Sequence, residues 1–169
     1  MPAAGSALPE VGTTVTARID WARRHRLMRM HTCLHLVCAL IKGDVTGGQV
    51  SDGKGRLDFN LPEMALDKEQ LTTDLNKLIA GNHAVQPRWI SDAEMAATPE
   101  LVRTMSVKPP SGQGKVRLLE IASPGQIVDL QPCGGTHVAN TSEIGRVEIS
   151  KIENKGKMNR RVNITLLDA

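Results

Sequence analysis

Aromatic residues are almost absent from this 169-residue chain: Trp21, Phe59 and Trp89 are the whole set, with no tyrosine. So few rings leave the core to Leu, Val, Ile, Met and Ala, and they argue against recognition of single-stranded nucleic acid by base stacking. Cysteine is also scarce. Cys33, Cys38 and Cys133 include no CxxC pair, and an odd count argues against a disulfide framework. No stretch approaches the ~18 apolar residues that cross a bilayer. The opening MPAAGSALPE lacks the charged and apolar regions of a secretory leader. These gaps predict a reduced, soluble, cytoplasmic protein with no membrane partner. A net charge of +3 permits a polyanionic partner without requiring one.

The periodicity predicts an α+β fold, an antiparallel sheet packed by one long helix and shorter helices. Residues 1–12 read as a tail or the remnant of an N-terminal domain, and residues 13–169 as the functional domain. Thr13–Ile19 alternates valine with polar residues and predicts a short strand. Asp20 is a good N-cap for a helix of roughly 20 residues that Gly43 stops. Thr46–Gly48 and Gly53–Gly55 read as turns around strands at Gln49–Ser51 and Arg56–Asn60. A second helix is expected between Asp67 and Gly81, then a strand near Val85–Ile90. Ser91 and Glu94 form a capping-box pattern. Thr98-Pro99 reads as the start of another helix, and Pro109–Gly112 as a loop. Strands follow at Lys115–Ile121, Gln126–Leu130, Arg146–Ile152 and Arg161–Leu167.

Two short clusters carry the chemistry. His31 and His35 in HTCLH share a helix face at i and i+4, and CGGTH offers Cys133 and His137. Three imidazoles and a thiolate suit tetrahedral Zn²⁺, one ion per chain, better than a hard cation. Alone, the histidine pair equally fits surface or hydrogen-bonded core residues, and Cys133 fits a small buried hydrophobe. Together the clusters predict a shared site, with glycines letting the second loop bend around an ion. HTCLH lacks the glutamate of HExxH metalloproteases. The 97 residues between the clusters exclude a zinc finger.

IDWARRHRLMRMHTCLHLV, VTGGQVSDGKGRLDF and QPCGGTHVANTSEIGRVEI resemble the editing domain of alanyl-tRNA synthetases and their free-standing AlaX-type trans-editing relatives. Threonyl-tRNA synthetase editing domains, with the same second additional domain, share the HxxxH and CxxxH pairs more distantly. The resemblance runs from about Val15 to Leu167. It implies an aminoacyl-tRNA deacylase acting on tRNA(Ala) mischarged with serine, and with glycine, with His31, His35, Cys133 and His137 as zinc ligands. By position it makes Thr46 the reader of the serine hydroxyl, with Gln49 on the same wall. Otherwise Thr46 reads as a turn residue and Gln49 as an ordinary strand residue. A pocket that admits alanine excludes glycine and serine by only ~10–200-fold, so a second site must read what alanine lacks. Longer AlaX-type proteins carry an N-terminal β-barrel before the segment matching Val15. ALPEVGTTVTARID resembles its end, so a naturally short form or a truncated piece of a longer protein is expected.

The implied reaction is attack of water on the ester joining serine to the terminal ribose. Zinc would activate that water or position the substrate, and four protein ligands would close the position a catalytic zinc usually keeps open. Two basic groups are candidate phosphate contacts or simply solvated surface: Arg23, Arg24, Arg26 and Arg29, and Lys151, Lys155, Lys157, Arg160 and Arg161. Asp58 is a candidate to orient a metal-bound histidine or an ordinary strand carboxylate. Cys33 and Cys38 are expected in the core. The competing readings are a zinc-stabilised RNA-binding module without catalysis and a fragment of an alanyl-tRNA synthetase. Against the fragment, LLDA closes the last expected strand.

Overall fold

Asp20 starts the first helix, because its carboxylate accepts the Arg23 amide at 3.0 Å and satisfies one of the free donors of the first turn. The computed structural model describes residues 5–61, 66–105 and 112–168. Helix α1, Trp21–Leu40, is amphipathic nowhere in its second half: Met30, Cys33, Leu34, Leu36, Val37 and Cys38 are all buried. A helix buried all round must lie between other layers. On one side α1 meets strands β1 (Asp44–Ser51) and β2 (Lys54–Asn60). Helix α2 (Lys68–Ala80), capped by Asp67, packs beside it. Strand β3 (Ala84–Ser91) leads into the six-residue helix α3 (Asp92–Ala97), where Ser91 and Glu94 complete the expected capping box. Strands β4 (Lys115–Ser123) and β5 (Gln126–Pro132) follow, and β5 touches α1. Strands β6 (Val147–Asn154) and β7 (Asn159–Leu166) end the chain of elements.

The antiparallel α+β expectation holds, with the strands divided between two sheets. One has the order β1-β2-β7-β6 and the other β3-β4-β5. β7 enters beside β2 rather than at an edge, so the chain's last strand closes the sheet that its first strands begin. Its inner face supplies Leu57, Phe59, Val147, Ile149, Val162 and Ile164 to the core. Each such side chain contributes about 1.5–3 kcal/mol when fully buried. Phe59, the one phenylalanine, is wholly enclosed.

Three local expectations are corrected. Thr13–Ile19 forms no strand: residues 13–20 run exposed, with Val15 and Ile19 in solvent and no partner strand to satisfy the backbone. Thr46–Gly48 is not a turn but part of β1. The pairing with β2 shifts between Val45 and Gly47, so Thr46 is the extra residue of a bulge. The hairpin turn lies instead at Asp52-Gly53, where Gly53 has φ +70° and Gly55 is already paired in β2. Thr98 caps nothing with its side chain. Its hydroxyl donates to Glu94 O, and Pro99–Leu101 is a single 3₁₀ turn. The expected loop at Pro109–Ser111, the first four residues of the tail and Ala169 lie outside the described residues. Among the described residues, no helix is long and apolar enough to cross a membrane.

Candidate metal centre

The i, i+4 spacing does place His31 and His35 on one face of α1, and that face meets the loop following β5. One ligand-capable atom from each of His31, His35, Cys133 and His137 falls within 4.8 Å of the others. Cys133 Sγ lies 3.3 Å from His137 Nε2 and 3.7 Å from His31 Nε2. Tetrahedral zinc with bonds of about 2.0–2.3 Å needs ligand separations of about 3.3–3.8 Å, which both sulfur–nitrogen distances match, while separations near the 4.8 Å limit would close by about 1 Å on binding. Soft sulfur and imidazole together disfavour calcium or magnesium.

Neighbouring hydrogen bonds hold the rings in metal-ready tautomers. Thr32 Oγ1 donates to Met28 O at 3.0 Å, so towards His137 Nδ1, 3.2 Å away, it acts as acceptor. That leaves His137 Nε2 with a free lone pair on the cluster side. His35 Nδ1 likewise donates to Asp129 Oδ2 at 2.9 Å and turns Nε2 inward. The CGGTH loop is pinned by Arg117, whose Nη1 donates to Cys133 O at 2.5 Å and Gly135 O at 3.1 Å. The Gly135 amide lies 3.4 Å from Cys133 Sγ and donates to it.

Electrostatics favours the ligating form of the sulfur. Burial pushes the Cys133 thiol up, but the imidazoles of His137, His31 and His35 around the sulfur outweigh it and bring it down to about 3. Burial lowers His137 to about 4, against the pull of Cys133. Burial would lower His35 too, yet Asp129 and Cys133 prevail and raise it to about 9. Cys33 and Cys38 are core residues with thiols pushed up to about 12 by burial, outside the ligand cluster.

A cavity of about 310 Å³ opens beside His31, His35 and Cys133. Leu34, Val45, Val50 and Leu57 line it, with the amides of Gln49 and Gln131 as polar features. That size suits a small ligand rather than a long side chain. Gln49 Oε1 accepts from Arg56 Nε at 3.2 Å, which orients its amide at the rim. Thr46 lies one residue from the cavity wall at Gly47. Its hydroxyl donates to Asp58 O at 3.2 Å and accepts from Asn159 Nδ2 at 3.3 Å.

The carboxylate beside a ligand histidine is Asp129, which sequence reasoning missed, and not Asp58. Asp58 is engaged on the other face of the sheet, by Arg161 Nε at 2.7 Å and Arg56 Nη1 at 2.8 Å. A signal did exist, since Asp129, Gln131 and Cys133 alternate at i, i+2 and i+4. In a strand that spacing puts all three on one face. The basic groups also separate. Arg29 is buried, bonded to Ile144 O at 2.9 Å and paired with Asp168, so it is a core brace and not a phosphate contact. Arg26 pairs with Asp52 at 2.5 Å, Arg161 with Asp58, and Lys151 and Lys155 with Glu153. Arg23 and Arg24 are exposed and share a depression with Thr136 of the CGGTH loop.

Fold and cluster together define a two-sheet α+β domain whose central helix and a glycine-rich loop bring together a His₃Cys cluster able to hold a metal ion, beside a small cavity. Comparison with known proteins narrows this further. Residues 116–163 match the family described as the Threonyl and Alanyl tRNA synthetase second additional domain. The Alanyl-tRNA editing protein AlaX-M of Methanosarcina acetivorans is 37% identical over 164 residues, covering 94% of this chain and 65% of that protein. AlaX-M of Saccharolobus solfataricus is 36% identical over 161 residues, with 92% and 65% covered. The alanine–tRNA ligase of Saccharolobus islandicus is 33% identical over 154 residues, which span 85% of this chain and 16% of the ligase. Over more than nine tenths of its length the chain is similar to these alanyl-tRNA editing proteins, and residues 116–163 match the second additional domain. The chain spans just under two thirds of the AlaX-M proteins it matches.

Proposed function

We propose that this protein is a trans-editing hydrolase that deacylates tRNA(Ala) mischarged with serine, and also with glycine, at a zinc centre held by His31, His35, Cys133 and His137. The observation that carries the reading is the convergence of those four donors, from α1 and from the loop after β5, three of which (His31, His35 and Cys133) line a cavity sized for a small aminoacyl group. The similarity to proteins named for alanyl-tRNA editing supports the choice of tRNA. The working unit is residues 13–169, and free cysteines throughout suit a reducing compartment such as the cytoplasm.

Zinc held by His31, His35, Cys133 and His137 would supply positive charge and Lewis acidity beside the cavity. The residues of the chain do the rest. Leu34, Val45, Val50 and Leu57 exclude bulk water from the ester and limit the side chain that enters. Gln49, oriented by Arg56, offers its amide to the substrate at the rim. Thr46 is assigned as reader of the serine hydroxyl: by exchanging its Asn159 donor for the substrate, its Oγ1 pairs a hydroxyl that alanine lacks. Arg23 and Arg24, beside Thr136, contact phosphates of the acceptor end.

Hydrolysis of serine-, glycine- and alanine-charged tRNA(Ala) by the purified protein, with metal analysis and with chelator, tests the proposal. The expected result is zinc at one per chain, turnover of serine and glycine but not alanine, and loss of turnover on chelation. Retained tRNA binding without turnover by the zinc-loaded protein would favour a non-catalytic module instead.

A further inference from the structure

We infer that Asp129, braced by Gln131, is a positioning residue that orients His35 and sets the affinity of the metal centre. The inference rests on the zinc centre proposed above and adds residues that the ligand motifs do not contain.

Asp129 is 7% exposed and Gln131 5%, so both are inside the protein. Asp129 Oδ2 accepts from His35 Nδ1 at 2.9 Å. Gln131 Nε2 lies 3.1 Å from Oδ1 and 2.9 Å from Oδ2, donating to the carboxylate. A carboxylate taken out of water costs several kcal/mol unless charge and hydrogen bonds compensate. Asp58 is buried at a comparable level and receives two arginines. Asp129 instead receives a ligand imidazole and a neutral amide. Its compensating charge therefore comes from the metal side of His35, and the carboxylate in turn raises that ring's basicity and fixes which nitrogen faces the ion.

The strand pattern supports a role beyond packing. Asp129 and Gln131 occupy the face of β5 turned towards α1, the face that continues to Cys133. An apolar pair there would fill the same space without desolvating a charge. Because the amide nitrogen of Gln131 is committed to Asp129, the brace also links the metal centre to the cavity that Gln131 lines.

The test compares zinc affinity of the full chain and of Asp129→Asn by competition with a chromogenic chelator, with the absorption spectrum of the cobalt-loaded proteins as a second readout. Asp129→Asn keeps the shape and removes the charge. Its zinc dissociation constant is expected to rise about 10–100-fold, with altered cobalt bands and a metal-free melting temperature close to the parent's. Gln131→Leu should shift affinity in the same direction by less, and it decides the question if Asp129→Asn does not fold. Affinity within about threefold of the parent and an unchanged cobalt spectrum would overturn the inference. So would an equal loss of melting temperature with and without metal, which marks a purely structural residue. Parent protein that binds zinc but hydrolyses no charged tRNA defeats the proposed function and leaves this comparison decisive.

Discussion

Gly135→Ala tests the geometry of the metal centre with one methyl group. A Cβ built at Gly135 would lie 2.3 Å from His31 Cε1 and 2.6 Å from Nδ1. Ordinary contact begins near 3.4 Å, so the ring would have to retreat by about 1 Å. Gly135 is not in the left-handed region, so the change adds no backbone strain of its own. The imidazole ends a side chain that can rotate, and the fold tolerates its retreat at a cost of about 1 kcal/mol or less. The metal does not tolerate it, because ligand distances hold within about 0.2 Å. Losing one of four ligands should weaken zinc binding at least 10–100-fold, the range seen for disturbed outer partners. The neighbouring Gly134 is the control: a Cβ there meets nothing within 4 Å, and its φ also lies outside the left-handed region. Chelator competition on both variants, with melting curves of the metal-free proteins, reads the difference. Gly135→Ala that holds zinc as tightly as Gly134→Ala would refute the placement of His31 against the CGGTH loop.

Phe59→Ala, at the wholly buried phenylalanine, should lose about 3–5 kcal/mol in denaturant titration. Arg161, with Arg56, holds the Asp58 carboxyl below its ordinary range. A depressed carboxyl stabilises the fold above its unfolded pKa of about 3.9, and that stability is lost as pH falls through the lower folded value. Asp58→Asn should therefore flatten the acid limb of the stability curve, at a cost of about 1.5–3 kcal/mol near neutrality. Thr46→Val keeps the shape and removes the hydroxyl. It should slow serine release by roughly 5–150-fold, corresponding to about 1–3 kcal/mol, while leaving glycine release unchanged; equal serine rates would end the reader assignment. Arg23→Ala should lower the salt dependence of tRNA binding by about one phosphate contact, whereas Arg29→Ala should lower the melting temperature instead.

Local signals were legible where local physics decides. Asp20, Asp67 and the Ser91/Glu94 box cap helices as their side chains predict, since a cap needs only neighbours three residues away. The four strands after Lys115 were readable from alternation. Thr13–Ile19 carried the same alternation and failed, because a strand exists only when another pairs with it. Thr46-Gly47-Gly48 carried turn chemistry and became a bulge, because seven residues of β2 opposite β1 outweigh two glycines. Arg29 and Arg26 sit three apart in one basic run, yet one is a buried brace and the other a surface ion pair.

Residue order alone specifies the kinds of donor and their local spacing: two imidazoles one helical turn apart, and a thiolate with an imidazole on a glycine-rich loop. It also determined the caps and alternations that make each segment helix or strand. Long-range packing is what sets α1 between two sheets, brings Cys133 after β5 to His31 across 102 positions, and makes Asp129 rather than Asp58 reach His35. Those outcomes depend on which surfaces bury one another, a balance of packing and desolvation summed over the whole chain that no short window of sequence contains.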